Sequence, residues 1–282
     1  MSARIPLTVA AMTLREAVRR RVVWAVTAMT VVLLSLSAWG FQRIGAELDT
    51  LTSGEARLVA SQVLNVVLFG LSLIAALGTT FLAGPSLAGE IESGMALALL
   101  ARPLRRSDVL LGKWLGLAAF GTTFVTVAGL SQLLIVRITT GYWPPSPMTG
   151  LALLATQTTV LLTLALLLAT AVSPMASGIV AVGLFGATWI AGVVGGVGES
   201  LGNQGVARVG TVSRMLLPTD GLWRGAMQAF QDRGALTQMG AEFDGFPFLS
   251  EAPLTLAYLT WVLTWTCVVA AITTMSFARR DL

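Results

Sequence analysis

Six stretches of about 20 or more apolar residues, each long enough to cross a bilayer as a helix, constrain this chain more than any other feature. They fall near 22–42, 58–84, 109–136, 149–172, 176–198 and 255–276. Lipid offers the backbone no hydrogen-bond partners, so each stretch must become a helix. Every break has a physical cause. Residues 43–57 form a polar loop containing Gly45 and Gly54. Tyr142-Trp143-Pro144-Pro145-Ser146-Pro147 is a stiff turn whose aromatics suit the headgroup belt. Ser173-Pro174 separates the fourth and fifth spans, and a long polar segment, 199–254, precedes the sixth. The chain thus reads as an all-α membrane protein. It is a six-transmembrane-helix bundle (22–282) with an N-terminal interfacial amphipathic helix (1–21) and a helical external segment between the fifth and sixth spans.

Charge sets the orientation. Only 11% of the 282 residues are charged, against about a quarter in a soluble domain. Of the 18 basic residues, 17 are arginine and one is Lys113. With six spans, 11 of the 18 fall on the side that holds both termini and the 85–107 loop, and 7 on the other. The positive-inside rule makes that first side cytoplasmic and 199–254 external. The expected location is the plasma membrane. The net charge of +4 is scattered over loops, which suits anionic lipid and not nucleic acid. The basic N-region runs straight into the first span without a small-residue cleavage site, so no cleavable signal peptide is expected. The lone Cys267 cannot make an intrachain disulfide.

Several chemistries are excluded by residues the chain lacks. It has no histidine, hence no Ser-His or Cys-His nucleophile pair, HExxH zinc site or haem histidine. The only lysine is followed by Trp114, so there is no P-loop. No apolar span holds Asp or Glu, which argues against a lipid-modifying enzyme and a proton relay in the core. No catalytic residue and no metal site are assigned. An ion-coupled secondary transporter using carbonyls and hydroxyls stays open.

Polar residues within the spans are ordered. Ser61, Asn65, Ser72 and Thr79 share one face of the second span; Thr156, Thr159, Thr163 and Thr170 share one on the fourth. They either serve helix packing or line a path. Gly112-xxx-Gly116 and Gly192-xxx-Gly196 permit close helix approach. Asn65, Ser72, Thr79, Gly192 and Gly196 are therefore candidates for a translocation path or a seam between two copies. At the N-terminus, Leu7, Ala11, Leu14 and Val18 recur at helical spacing, with Arg15, Glu16, Arg19 and Arg20 opposite. That pattern predicts a helix in the inner interface. In the external segment, Thr219 or Asp220 would cap a helix whose stripe is Trp223, Ala226, Met227 and Phe230. Trp223, Met227 and Phe230 are either a lid on the outer ends of the bundle or a surface for an external partner.

The 85–107 loop concentrates charge between two apolar segments. Glu90 and Glu92 follow the second span, Gly94 allows a bend, and Leu97, Leu99 and Leu100 form an apolar run. Arg102 and Pro103 close it, Arg105 and Arg106 follow, and Ser107 would cap the third span ahead of Asp108. It reads as a solvated hairpin or as an elbow docked on a cytosolic protein.

The order Glu92, Gly94, Leu99-Leu100, Pro103-Leu104, Arg106, Leu111-Gly112-Lys113 is similar to the loop between the second and third helices of ABC-2 type permeases. Met95-Ala96-Leu97 departs from the more usual Thr-Leu-Glu run, which removes one acidic contact. The six spans, the long loop before the last and the tail 277–282 fit as well, so the resemblance spans essentially the whole chain. Leu216-Leu217-Pro218-Thr219-Asp220 looks most like the permease of the transporter that matures nitrous-oxide reductase, though its substrate is not carried over. The resemblance implies a permease subunit of an exporter that is not itself an enzyme. It binds no cofactor, ATP and magnesium being held by a separate cytosolic ATPase. It implies a second permease copy, and an elbow in which Glu90, Glu92, Gly94, Arg102, Pro103, Arg105 and Arg106 couple to that ATPase. A non-transporting scaffold that anchors such an ATPase is the alternative.

Overall fold

The computed structural model describes residues 4–48, 53–92, 105–232, 248 and 254–279. Among them the chain forms helices α1 (Arg4–Arg19), α2 (Arg21–Leu48), α3 (Ser53–Glu92), α4 (Arg106–Thr140), α5 (Pro147–Ala169), α6 (Pro174–Ser200), α7 (Gln204–Leu216), α8 (Thr219–Phe230) and α9 (Leu256–Arg279). Six of these, α2 to α6 and α9, are long and apolar enough to cross a membrane. The chain is a multi-pass, all-α membrane protein.

Local chemistry sets the helix ends. Pro147 and Pro174 open α5 and α6, where a missing N–H costs nothing. Gly141 ends α4 in the left-handed region at φ 70°, and its N–H donates to the Arg137 carbonyl. Gly202 makes the turn after α6 at φ 68°, and Asn203 then caps α7 by accepting from the N–H groups of Gly205 and Val206. Tyr142, pinned in the turn after α4, donates to the Phe230 carbonyl at 2.6 Å; burial pushes its hydroxyl pKa well above the usual value.

α3 is the central helix, packed on α2, α4, α5 and α6. One apolar core joins its N-terminal half to α4, α5 and α8 through Leu64, Leu68, Leu133, Leu154, Trp223 and Phe230. A second joins its C-terminal half to α4, α5 and α6 through Leu82, Leu117, Leu161, Leu166 and Phe185. By contrast α2 and α9 are mostly exposed flanks, with only 17% of each apolar window buried inside the chain.

Two expectations are corrected here. The second span does not stop at residue 84: α3 runs through Pro85, with Ser86 and Leu87 buried, to Glu92. Pro85 removes one ladder hydrogen bond, but packing keeps the helix going. The elbow expected over 85–107 therefore begins as helix. Ser107 does not cap the third span either; α4 starts at Arg106, with extended Arg105 at the cap position.

α1 packs on α4 through Gly112 and Gly116. A Cβ at Gly112 would lie 2.6 Å from the Val9 Cβ, and one at Gly116 would lie 2.6 Å from the Ala10 carbonyl oxygen. The face of α1 turned to the bundle carries Thr13 and Ala17. Leu7 and Val18, from the predicted apolar stripe, remain exposed, where lipid would meet them.

The largest departure lies in the segment expected outside. α7 folds back along α6, and α8 climbs between α3, α5 and α6. At the tip of this hairpin Gln157 of α5 reaches the Thr219 carbonyl, and Thr188 of α6 bonds the Thr219 hydroxyl. Gln157 is ten residues inside the Pro147 end of α5, or about 15 Å at 1.5 Å per residue. Thr188 is twelve residues inside the Ser200 end of α6, or about 18 Å. In a hydrocarbon core about 30 Å thick the tip sits near mid-depth. The segment is thus a re-entrant hairpin over 204–230, and not a cover resting on the outer ends.

Candidate functional site

Irregular backbone at membrane depth survives only where protein or water satisfies it. The hairpin tip meets this demand with side chains from its neighbours. The Trp265 Nε1 donates to the Leu216 carbonyl at 2.8 Å. The Tyr258 hydroxyl lies within reach of the carbonyls of Arg214 and Pro218, at 3.3 and 3.4 Å. The Gln157 Nε2 donates to the Thr219 carbonyl at 3.3 Å. Elements α5 and α9 thereby hold the break between α7 and α8.

Within the hairpin Asp220 is buried with two arginines. The Nε groups of Arg214 and Arg224 both donate to Asp220 Oδ2 at 3.1 Å. The Arg224 Nη2 also donates to the Gly192 carbonyl at 2.6 Å. The carboxylate side chain is 2% exposed, whereas those of Arg214 and Arg224 are 22% and 21% exposed. Arg214 lies in the last turn of α7 and Asp220 in the first turn of α8, so each charge also suits its helix end.

This cluster corrects the expectation of an ionisable-free core. Asp220 belongs to no apolar span, and neither it nor Thr219 caps α8; the N-cap is Pro218, with no side-chain cap. The available clue was the spacing of Arg214, Asp220 and Arg224 beside Pro218 in an otherwise apolar context. Nothing in that spacing says that the hairpin re-enters.

The glycines of α6 explain how it fits. Gly192, Gly195 and Gly198 are buried on one face. A Cβ on Gly192 would lie 2.2 Å from Asp220 Oδ2, one on Gly195 would lie 2.6 Å from the Gly210 Cα, and one on Gly198 would lie 2.6 Å from the Ala207 nitrogen. Gly192 thus faces its own chain and is not presented to a second copy. Gly196 is half-exposed, near Arg224.

The other seam candidates also face inward. Asn65, Ser72 and Thr79 are buried within the chain. Asn65 donates to the Phe248 carbonyl at 3.2 Å, and Thr79 bonds its own helix at the Ala75 carbonyl. The Asn65 Oδ1 and Ser72 Oγ have no hydrogen-bond partner among the described residues. Phe69, between them on α3, packs at tilted or edge-on angles against Trp189, Trp223 and Phe248 at centroid distances of 4.6, 5.4 and 5.7 Å. On the fourth span Thr156, Thr159 and Thr163 each bond the carbonyl four residues back, and Thr170 bonds Leu167 and Ser276. Trp223, Met227 and Phe230 are at most 1% exposed. They fill the core beneath Gly150 and Leu154 and offer no surface to an external partner.

At the inner end, Gly94, Arg102 and Pro103 lie outside the described residues, and Glu90 and Glu92 are placed only as the last turn of α3. Arg105 is exposed. Arg106 donates from Nη1 to the carbonyls of Phe277 and Ala278 at 3.3 and 3.1 Å, closing the C-terminal turn of α9. Buried Lys113 donates to the Ser86 carbonyl, tying α4 to the helix extension past Pro85. The two sides of the elbow are therefore braced to α4 and α9. Among the described residues no group of His, Cys, Asp and Glu could hold a metal ion.

No curated protein matches the chain. A family model for ABC-2 family transporter proteins matches residues 7–282, nearly the full length. Together with six membrane-crossing helices, that match identifies this multi-pass protein as a membrane subunit that belongs to the ABC-2 transporter family.

Proposed function

We propose that this chain is the permease half of an ATP-driven exporter in the plasma membrane, with both termini cytoplasmic. The observation that carries the reading is the bracing of the elbow. α3 continues as helix to Glu92, Lys113 ties its Ser86 turn to α4, and Arg106 grips the last turn of α9. A push delivered between residues 92 and 105 would move three spans at once. ATP and magnesium would bind in a separate cytosolic ATPase, since this chain lacks a P-loop. A second permease copy is proposed because the flanks α2 and α9 are open, with Trp24, Leu36 and Leu263 exposed. The likeness of Leu216–Asp220 to the nitrous-oxide-reductase maturation permease supports a narrower kinship without naming a substrate.

The test is coupling. Arg106 grips α9 of its own chain, and the pair changed is Glu92 and the exposed Arg105. Breaking a buried charge contact at a docking cleft costs about 2–5 kcal/mol. The Glu92→Ala, Arg105→Ala double variant should express and fold like wild type yet recover little ATPase on co-purification. Wild-type recovery of an ATPase whose turnover still responds to transport would reduce the elbow to a solvated turn.

A further inference from the structure

We propose that an open groove at the C-terminal end of α9 is a binding site for one anionic phospholipid of the cytoplasmic leaflet. The site goes beyond the permease reading and takes from it only the placement of that end on the cytoplasmic side.

Three observations carry it. First, there is a cavity. It holds about 590 Å³, within the roughly 300–1,000 Å³ of small-molecule sites. Thr170 and Ala171, just past the end of α5, form one wall, and Ile272, Met275, Ser276 and Arg279 of α9 form the other. Second, the chemistry is graded along α9. Val268, Ile272, Met275 and Arg279 recur at i, i+4, i+7 and i+11, one face of a helix. The three apolar members are exposed, and the face ends in an exposed cation in the last turn. From 268 to 279 the helix rises about 16 Å at 1.5 Å per residue, close to half of a hydrocarbon core about 30 Å thick. The track is therefore one leaflet long, with the guanidinium at the headgroup end. Third, the wall is polar just below the cation. The Thr170 and Ser276 hydroxyls bond each other at 2.9 Å. Ser276 lies about 4.5 Å along the helix from Arg279, the level at which the ester groups of a lipid follow its phosphate.

A cation in the last turn also suits the helix dipole. That accounts for Arg279, but not for the groove or for the apolar track that leads to it. Guanidinium matches phosphate bidentately, and basic pockets between spans at the cytoplasmic face suit anionic headgroups. A soluble anion would leave the track bare, and a zwitterionic lipid brings an ammonium that the arginine repels. A second permease copy has another face to use: Leu263 lies about 140° round the helix from Val268, at 100° per residue. A lipid held here would also bear on the elbow, because Arg106 grips the Phe277 and Ala278 carbonyls in the same turn of α9.

The purified permease is washed in nonionic detergent and titrated with phosphatidylglycerol or phosphatidylcholine of the same chains, bound lipid being counted by native mass spectrometry. The first phosphatidylglycerol should bind roughly tenfold tighter than phosphatidylcholine. Arg279→Gln should weaken it by roughly tenfold, the loss of one charge-assisted contact, and Arg279→Lys by much less. Ile272→Trp, which fills the track and leaves the charge in place, should weaken it as well. Arg15→Gln removes an exposed arginine of α1 outside the groove and should leave the first binding step unchanged. Equal binding of the two lipids overturns the site. So does equal loss in Arg15→Gln and Arg279→Gln, which would make the attraction a general one. If Arg279→Gln does not fold, Ile272→Trp decides: wild-type affinity overturns the groove. Glycerol phosphate competing as well as phosphatidylglycerol overturns the lipid half of the assignment. The binding needs neither an ATPase nor an oriented membrane, so its absence defeats the lipid site and leaves the permease reading standing.

Discussion

At residue scale, Gly192 and Asp220 depend on each other. A methyl group at Gly192 would have to enter the space held by the Asp220 carboxylate, 2.2 Å away. Overpacking of a tight site costs about 1–3 kcal/mol, so Gly192→Ala should lower the thermal unfolding midpoint of the purified protein. Gly196→Ala, whose Cβ would meet the Arg224 Nη2 at an ordinary contact distance of 3.5 Å, should leave it nearly unchanged. Equal effects would mean that the glycine face is not packed on the hairpin. Asp220→Ala leaves two guanidinium groups without their counter-charge. Removing one partner of a buried ion pair costs about 3–5 kcal/mol, so this variant should be the least stable of the three. The glycines were legible in the sequence as sites of close approach. Their partner was not, because small size says how near a neighbour can come and nothing about which neighbour comes.

At element scale, α1 and the α7–α8 hairpin show two kinds of legibility. The helix in α1 was readable from its 3.6-residue period, and Gly112 and Gly116 marked where something would pack closely. In the hairpin the apolar stripe of α8 was equally readable, yet a stripe buried against a bundle looks the same whether it lies on top or inserts. Depth is decided by contacts such as Gln157 with Thr219 and Trp265 with Leu216. The insertion is testable by labelling. In a Cys267→Ser background, Ser200→Cys, exposed at the outer end of α6, should react with an impermeant maleimide on intact cells. Leu216→Cys, 70% exposed but near mid-depth, should resist it. Rapid labelling at position 216 would show that the segment is an ordinary external loop.

At the scale of the whole molecule, the bundle has a well-packed centre in α3 and α5 and open flanks in α2 and α9. Orientation rests on charge, and cysteine labelling checks it. Ser146→Cys, exposed at the outer end of α5, should react from outside, and Ser107→Cys, exposed at the start of α4, should not. Labelling at position 107 would reverse the topology and move the charged elbow away from any cytosolic ATPase. The charge between the second and third spans was visible in the sequence. The grip of Arg106 on α9 was not, because it joins residues 171 positions apart in the chain.

By itself the sequence determined the fold class and the number of spans, because apolar length acts locally and lipid leaves the backbone one solution. It also determined what the chain lacks: histidine and a nucleotide-binding loop. Only the tertiary structure decided that α3 continues past Pro85, that the glycine face of α6 is filled by its own hairpin, and that Asp220 with Arg214 and Arg224 lies deep in the bundle. Those outcomes depend on which distant segments meet. A charged residue in a polar segment looks solvated until packing carries that segment into the membrane.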